Sequence, residues 1–197
     1  MIHRLKMRTH TYAEVGFTLI ESMIAVSVLA ILFSLAFPSF SNAITNSRLT
    51  SQANLLVSAI NQARSEAIRR GQHVVVRKIN AEWESGWRVF VDVDRTTNAK
   101  KNIFDSGTDI QLSVHPALPT NFTLRGNHNF VNFIRYQPNG DSNNIGSFVL
   151  CESGHVEGSK LLIVNSIGRV RVALDTNHNR IPEDDHGSDI ASCFSGF

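Results

Sequence analysis

The sequence predicts an α+β protein in which one long N-terminal helix packs on a globular domain of antiparallel β-sheet. Two observations lead to this fold class. An apolar run spans residues 17–37, and a helical spacing of apolar residues continues over residues 44–70. From residue 73 onward the period of alternation changes to two, and the apolar segments become short and are separated by glycine, proline and asparagine.

The first half of the predicted helix is the apolar run, which holds about 21 residues and one formal charge, at Glu21. At about 1.5 Å per residue, a helix of this length crosses a bilayer core of about 30 Å. We therefore predict a transmembrane segment at residues 17–40. An ionised carboxylate in hydrocarbon costs at least about 2.5 to 3.5 kcal/mol, so Glu21 needs a partner of opposite charge. The alternative is a plain single-pass anchor in which Glu21 is unpaired.

A short basic segment precedes the apolar run. It contains Arg4, Lys6 and Arg8, and the next basic residue is Arg48. By the positive-inside rule, the N-terminus stays cytoplasmic and the chain beyond about residue 40 is exported. An ordinary secretory signal has its apolar region before the cleavage site, whereas here that region begins after Gly16. We therefore expect the apolar segment to be retained.

The stretch Gly-Phe-Thr-Leu-Ile-Glu at residues 16–21 resembles the prepilin signal of type IV pilins and type II secretion pseudopilins. The resemblance implies that a membrane prepilin peptidase cuts after Gly16 and methylates the new amino terminus at Phe17. It also implies that Glu21 neutralises the terminal amine of a neighbouring subunit during filament assembly. The expected partners are the prepilin peptidase, the inner membrane and other pilin or pseudopilin subunits.

The second half of the predicted helix is amphipathic. Its apolar residues recur at steps of three and four and form one stripe, at Leu49, Ala53, Leu56, Ile60, Ala63 and Ala67. Gly71 is a natural stop after Arg69 and Arg70, which suit the negative end of the helix dipole. We expect one helix of about 54 residues that continues through Pro38 and packs on the sheet through its second half.

Eight strands are predicted, at residues 73–79, 86–93, 110–114, 122–125, 131–136, 147–152, 160–165 and 169–174. Residues 54–68 and 83–94 are similar to the corresponding regions of the FimT and GspH branch of the pilin-like family. The expected organisation has four parts: a prepilin leader at 1–16, the transmembrane half of the helix at 17–40, its exported half at 41–71, and a periplasmic β-rich domain at 72–197.

The composition fits one folded domain with an anchor, at 42% hydrophobic and 18% charged residues. The leader accounts for the whole net charge of +2, through Arg4, Lys6, Arg8 and Glu14. A neutral processed chain has no long-range attraction for nucleic acid, so any such binding requires a local basic patch.

Both cysteines, Cys151 and Cys193, lie in the part expected to be exported. A pair in an oxidising compartment predicts a disulfide, which would fasten the C-terminal tail to the sheet. Two buried free thiols are the alternative.

The exported motif Gly168-Arg169-Val170-Arg171 is the strongest candidate site. On an extended chain Arg169 and Arg171 point to one face about 6.6 Å apart, and guanidinium groups match phosphate oxygens two at a time. The motif resembles the glycine-arginine-any-arginine motif through which FimT-type minor pilins bind DNA for uptake in natural transformation. The patch is larger if other basic residues fold nearby, namely Arg180, Arg125, Lys100 and Lys101. The alternative is that arginines on an edge strand only oppose aggregation.

The sequence contains no pattern that indicates an enzyme. A nucleophile elbow, a phosphate-cradling glycine loop and a paired set of carboxylates are all missing, and the eight histidines lack metal-binding spacing. Residues 175–186 carry oxygen ligands at alternate positions, as in the first half of a calcium loop, but Arg180 lies where such a loop has glycine. We predict no catalytic residue, metal or cofactor.

These features favour a minor type IV pilin, similar to FimT, that is assembled into a pilus and binds duplex DNA for uptake in natural transformation. Its DNA-binding residues are expected to be Gly168, Arg169, Arg171 and Arg180. The first alternative is a structural subunit without DNA binding, either a GspH-like pseudopilin of the type II secretion system or a minor pilin that primes assembly. The second is an anchored exported enzyme, which needs a deep polar pocket with titratable groups.

Overall fold

The computed structural model describes residues 16–197, except for the side chains at 35–39 and 41–42. The predicted leader, residues 1–16, lies outside the described residues except for Gly16. The chain divides into two compact units, one that ends at Ala43 and one that spans Ile44–Phe197.

One helix and eight strands make up the described chain, together with short 3-10 turns at Trp83–Ser85 and His128–Phe130. The helix α1 spans Leu19–Arg70 and continues past Pro38, as predicted. The strands are β1 (Val74–Lys78), β2 (Trp87–Val91), β3 (Ile110–His115), β4 (Phe122–Gly126), β5 (Phe133–Tyr136), β6 (Gly146–Glu152), β7 (His155–Val164) and β8 (Val170–Val172). All eight predicted strands are present, and β7 begins five residues earlier than expected. The α+β class is confirmed.

Local chemistry explains where α1 begins and ends. The hydroxyl of Thr18 accepts the backbone N–H of Glu21 at 3.3 Å, which satisfies one of the free donors of the first turn. At the other end Gly71 adopts a φ of 63°, and the N–H of Gln72 bonds back to the carbonyl of Ala67 at 3.3 Å. Within residues 16–197, apart from the undescribed side chains, no helix is both long and apolar enough to cross a membrane, so the anchor expected at 17–40 is not confirmed.

The strands form two antiparallel sheets, sheet A in the order β3-β2-β1-β5 and sheet B in the order β4-β6-β7-β8. The predicted helix stripe is buried against the inner faces of both sheets and forms the main core with them. Several buried residues of the helix are alanines, which add little side-chain volume to this core: Ala53, Ala59, Ala63 and Ala67. Trp83 closes one end of this core, with its indole N–H donated to the carbonyl of Phe130 at 2.9 Å.

The outer face of each sheet, turned away from the main core, is covered by a different segment. On sheet A, Phe90 packs against Phe104 of the segment 92–109, with ring centroids 5.4 Å apart. On sheet B the C-terminal tail, residues 173–197, packs on the outer face and forms a second apolar cluster with it. This cluster includes Leu161 of β7 and Ile190 of the tail. The disulfide between Cys151 of β6 and Cys193 of the tail is present, as predicted.

Breaking the disulfide should destabilise the folded chain. It closes a separation of 42 residues, and the chain-entropy relation gives a loss of roughly 3 to 4 kcal/mol for the Cys193→Ser variant. Urea unfolding with and without dithiothreitol measures this loss. Reductant should lower the stability of the wild type to the level of the variant and leave the variant unchanged. Equal stability of oxidised wild type and variant would contradict the role given to the tail.

Candidate functional site

The predicted processing and assembly residues lie at the start of the described chain. Gly16 and Phe17 precede α1 and are exposed, and Glu21 is in the first helical turn. Thr18 and Glu21 have the spacing of a capping box, in which a glutamate three residues into the helix stabilises its N-terminus. The sequence reasoning missed this local pattern, although the Thr-x-x-Glu spacing could have indicated it. A test of Glu21 must therefore separate its charge from the effect of a glutamate at this position on the helix N-terminus.

The same part of α1 exposes apolar side chains on every side. Those with half or more of their surface exposed include Leu19, Ile20, Met23, Ile24, Val26, Leu29, Ile31, Leu32 and Phe33. A soluble monomer rarely carries an exposed apolar surface of this extent. This surface therefore needs a partner.

The Gly168–Arg171 motif forms the turn between β7 and β8 and the beginning of β8. The side-chain oxygen of Asn165 accepts the N–H of Arg169 at 2.9 Å, and the carbonyl of Asn165 accepts the N–H of Gly168 at 3.0 Å. Asn165 also donates its own N–H to the carbonyl of Arg169 at 3.1 Å. These three bonds hold the turn in one conformation.

Gly168 is buried and has a structural reason to be glycine. Its φ is 74°, and an added Cβ would clash with the carbonyl of Gly140 and come within 2.6 Å of the ring of Tyr136. The hydroxyl of Tyr136 donates to the carbonyl of Gly168 at 3.0 Å, and burial raises the pKa of this tyrosine. The turn is thus packed against β5 and the loop that follows it.

The two arginines of the motif project from the outer face of sheet B. Val170, which lies between them, packs on the main core. Arg171 lies opposite Ile163, whose side chain belongs to the second apolar cluster, on the outer face of sheet B. Arg171 forms an ion pair with Asp185 of the tail, in which the two side chains are 53% and 61% exposed. Among the described residues, no carboxylate forms an ion pair with Arg169. The motif therefore presents one free guanidinium and one that is weakly held.

The other predicted basic residues do not join the motif in one cluster. Arg180 forms an ion pair with Glu157 at 2.8 Å, and its carbonyl accepts the N–H of Gly158 at 2.6 Å. Gly158 is five residues along β7 from the partner of Arg171, or roughly 16 Å. The remaining candidates are engaged elsewhere: Arg125 with Glu82 and Glu84, Lys100 with Asp94, and Lys101 with Asn98.

The acidic tail uses its carboxylates to hold turns. Asp175 accepts the backbone N–H groups of Asn179 at 3.1 Å and Arg180 at 2.8 Å. Backbone hydrogen bonds, first from Ser188, lower the pKa of Asp184. Over the described part of the chain, no group of three His, Cys, Asp or Glu side chains could hold a metal ion.

A groove of about 360 Å³ lies between the second half of α1 and the β3–β4 loop. It is lined by Gln52, Leu55, Trp87 and His115 and by residues 116–119. His115 stacks on Trp87 with ring centroids 4.9 Å apart, and burial lowers the pKa of this histidine. One titratable side chain in a mostly apolar groove does not make an acid–base site.

Comparison with known proteins gives one family and two similar structures. The model of the family described as Type II transport protein GspH matches residues 52–168. A crystal structure of the type IV minor pilin FimU of Pseudomonas aeruginosa PAO1 is similar with a TM-score of 0.54 and 19% identity, over 75% of this chain and 96% of that one. A second crystal form of FimU gives a TM-score of 0.52 and 19% identity, over 74% and 99%. No curated protein matches significantly.

Substitution of Gly168 by alanine should destabilise the protein strongly. The new side chain adds the cost of a positive φ, about 1 to 2 kcal/mol, to the clash with Gly140 and Tyr136, for a total above about 3 kcal/mol. Gly187→Ala is the matched control, because Gly187 has a φ of 78° and nothing within 4 Å of an added Cβ. Urea unfolding measures both variants. Equal losses would show that the contacts of Gly168 do not matter.

Proposed function

Since the chain belongs to the GspH family of type II transport proteins and has the fold of a type IV minor pilin, we propose that it is a minor subunit of a pilus or a secretion pseudopilus. The family and the fold are those of structural subunits, not of enzymes. The observation that carries the proposal is the apolar surface exposed around α1 from Leu19 to Phe33. Packing against the helices of other subunits would bury this surface.

The N-terminal residues complete the proposed assembly pathway. The prepilin peptidase would cut after Gly16 and methylate Phe17, with the apolar part of α1 inserted in the inner membrane and the domain 72–197 in the periplasm. Glu21 would then pair with the terminal amine of a neighbouring subunit in the filament. A carboxylate surrounded by apolar helices gains most from a charged partner, because the surroundings screen the attraction weakly.

We also propose that the subunit binds duplex DNA for uptake in natural transformation. The support is the pair of exposed guanidinium groups at Arg169 and Arg171 on a rigid turn. The ion pair of Arg171 with Asp185 is exposed and is worth at most about 1 kcal/mol, so a phosphate can replace the carboxylate. Arg180 would add a contact further along the duplex. A structural pseudopilin or priming minor pilin without DNA binding is the alternative.

The charge of Glu21 should be required for assembly. Glu21→Ala and Glu21→Gln should both be processed normally and yet be lost from sheared filaments, because neither can neutralise an amine. Glutamine also suits the third helical position of a capping box, so it removes the charge and keeps the local sequence pattern. Immunoblots of the sheared filament and membrane fractions measure incorporation. Normal incorporation of Glu21→Gln beside failure of Glu21→Ala would assign the residue to helix capping instead.

Removal of the motif arginines should weaken DNA binding. For the variant Arg169→Ala with Arg171→Ala we expect at least tenfold lower affinity, and a slope of log affinity against log salt that is shallower by about 1.8, from two lost phosphate contacts. Fluorescence anisotropy of a labelled duplex across a salt series measures both. Arg180→Ala should have a smaller effect. If the double variant binds like the wild type, DNA binding lies elsewhere, and if the wild type does not bind, the alternative function holds.

A further inference from the structure

Arginines crowd the outer face of sheet A, where the sequence patterns indicated no site. Three neighbouring strands each contribute one, Arg77 from β1, Arg88 from β2 and Arg135 from β5, and Arg95 of the segment 92–109 packs beside them. All four are half-buried. Side chains alternate between the two faces of a sheet, and the neighbours of the three strand arginines face the main core: Val74, Val76, Val89 and Ile134. The three arginines therefore share the opposite face.

The register of the strands places like charges side by side. Arg77 and Arg88 are direct cross-strand partners, and Arg135 lies beside Val75, one diagonal step from Arg77. Direct cross-strand partners have Cβ atoms about 4.5 to 5.5 Å apart, and like charges in this arrangement are destabilising. Burial lowers the pKa of both Arg77 and Arg135, because partial loss of solvent destabilises their charged forms.

Carboxylates compensate only part of this charge. Asp92 is 2% exposed and pairs with Arg95, and His73 beside them has a pKa lowered by burial. The other carboxylates of the segment 92–109 are engaged: Asp94 with Lys100, Asp105 with the N–H of Gly107, and Asp109 with the N–H groups of Val93 and Asp105. Four arginines around one carboxylate leave a net charge of about +3 in a site with low effective dielectric.

The guanidinium groups are held in place rather than mobile. Asn102 accepts from Arg77 through its carbonyl and from Arg135 through its side-chain oxygen, both at 3.0 Å, while its N–H donates to Asp92 at 2.9 Å. Arg88 stacks on the ring of Phe104 at 4.1 Å. Among the described residues, the Nε atoms of Arg88 and Arg135 are buried and have no hydrogen-bond partner. Partly desolvated cations that are held in place favour an anion over water at their remaining, accessible N–H groups.

We propose that the outer face of sheet A carries a phosphate-binding site formed by Arg77, Arg88 and Arg135. A phosphate group offers more charge and more acceptor oxygens than a single carboxylate, and it matches guanidinium forks from several directions. The group can come from inorganic phosphate or from a nucleic-acid backbone. The site lies on the opposite sheet from Arg169 and Arg171 and does not depend on their binding DNA.

The test is thermal unfolding of the full-length chain in mild detergent, at constant ionic strength, with inorganic phosphate or a short duplex replacing chloride. Either ligand at tenfold excess over its Kd should raise the Tm of the wild type by about 3 to 6 °C, with saturation. Arg88→Gln, which leaves the bonds to Asn102 intact, should lose the shift with inorganic phosphate and the part of the duplex shift that comes from this site. Its Tm in chloride should stay close to that of the wild type, because removal of a like-charge pair offsets the lost stacking on Phe104.

Arg171→Gln is the matched control, since it removes an exposed arginine from the other sheet, and it should keep the full response to inorganic phosphate. If Arg88→Gln removes a shift seen with inorganic phosphate, the ligand of this site is a free anion. If Arg88→Gln removes a shift seen with the duplex alone, the ligand is a phosphodiester. A linear rise that is equal in Arg88→Gln would be the general effect of excluded salts and would overturn the proposal. Stabilisation by an oligoglutamate peptide but not by phosphate would overturn it in favour of an acidic protein partner.

Discussion

Burial of one helix stripe between two sheets is the contact on which the globular unit depends. Leu56 and Ile60 are almost fully buried, and each contributes roughly 1.5 to 3 kcal/mol by leaving water. Ala59, Ala63 and Ala67 lie in the same core and add little bulk between the helix and the inner faces. The inner face of each sheet is apolar because it belongs to this core, so polar side chains of the strands lie on the outer faces of the sheets. Both candidate anion sites are on these outer faces.

Different segments cover the outer faces of the two sheets. Sheet B is covered by the C-terminal tail, whose carboxylates mostly cap their own turns and whose Cys193 is bonded to β6. One of its acids, Asp185, reaches Arg171, so the tail sets the electrostatic surroundings of the motif. Sheet A is covered by the segment 92–109, in which Asn102 accepts hydrogen bonds from Arg77 and Arg135 of the sheet. The segment 92–109 thus fixes the arginines of sheet A, which lowers the entropy cost of binding an anion, whereas the tail holds Arg171 of sheet B only weakly.

Two of the candidate functional residues also contribute to the fold. Gly168 belongs to the candidate DNA motif, yet its contacts with Gly140 and Tyr136 require glycine whatever the motif binds. Glu21 has a proposed role in assembly, and its backbone N–H also donates to the capping hydroxyl of Thr18 at the start of α1. The presence of such a residue is therefore a weak guide to function until a substitution separates its two roles.

The sequence by itself determined what depends on local periodicity and short-range chemistry. The helix stripe, all eight strands and the pairing of Cys151 with Cys193 were predicted because burial imposes a period of 3.6 or 2 and an even cysteine count has one pairing. Only the tertiary structure decided which charges meet. The separation of Arg180 from Arg171, and the meeting of Arg77 with Arg88, follow from strand order and register, which are set by contacts between residues far apart in the chain.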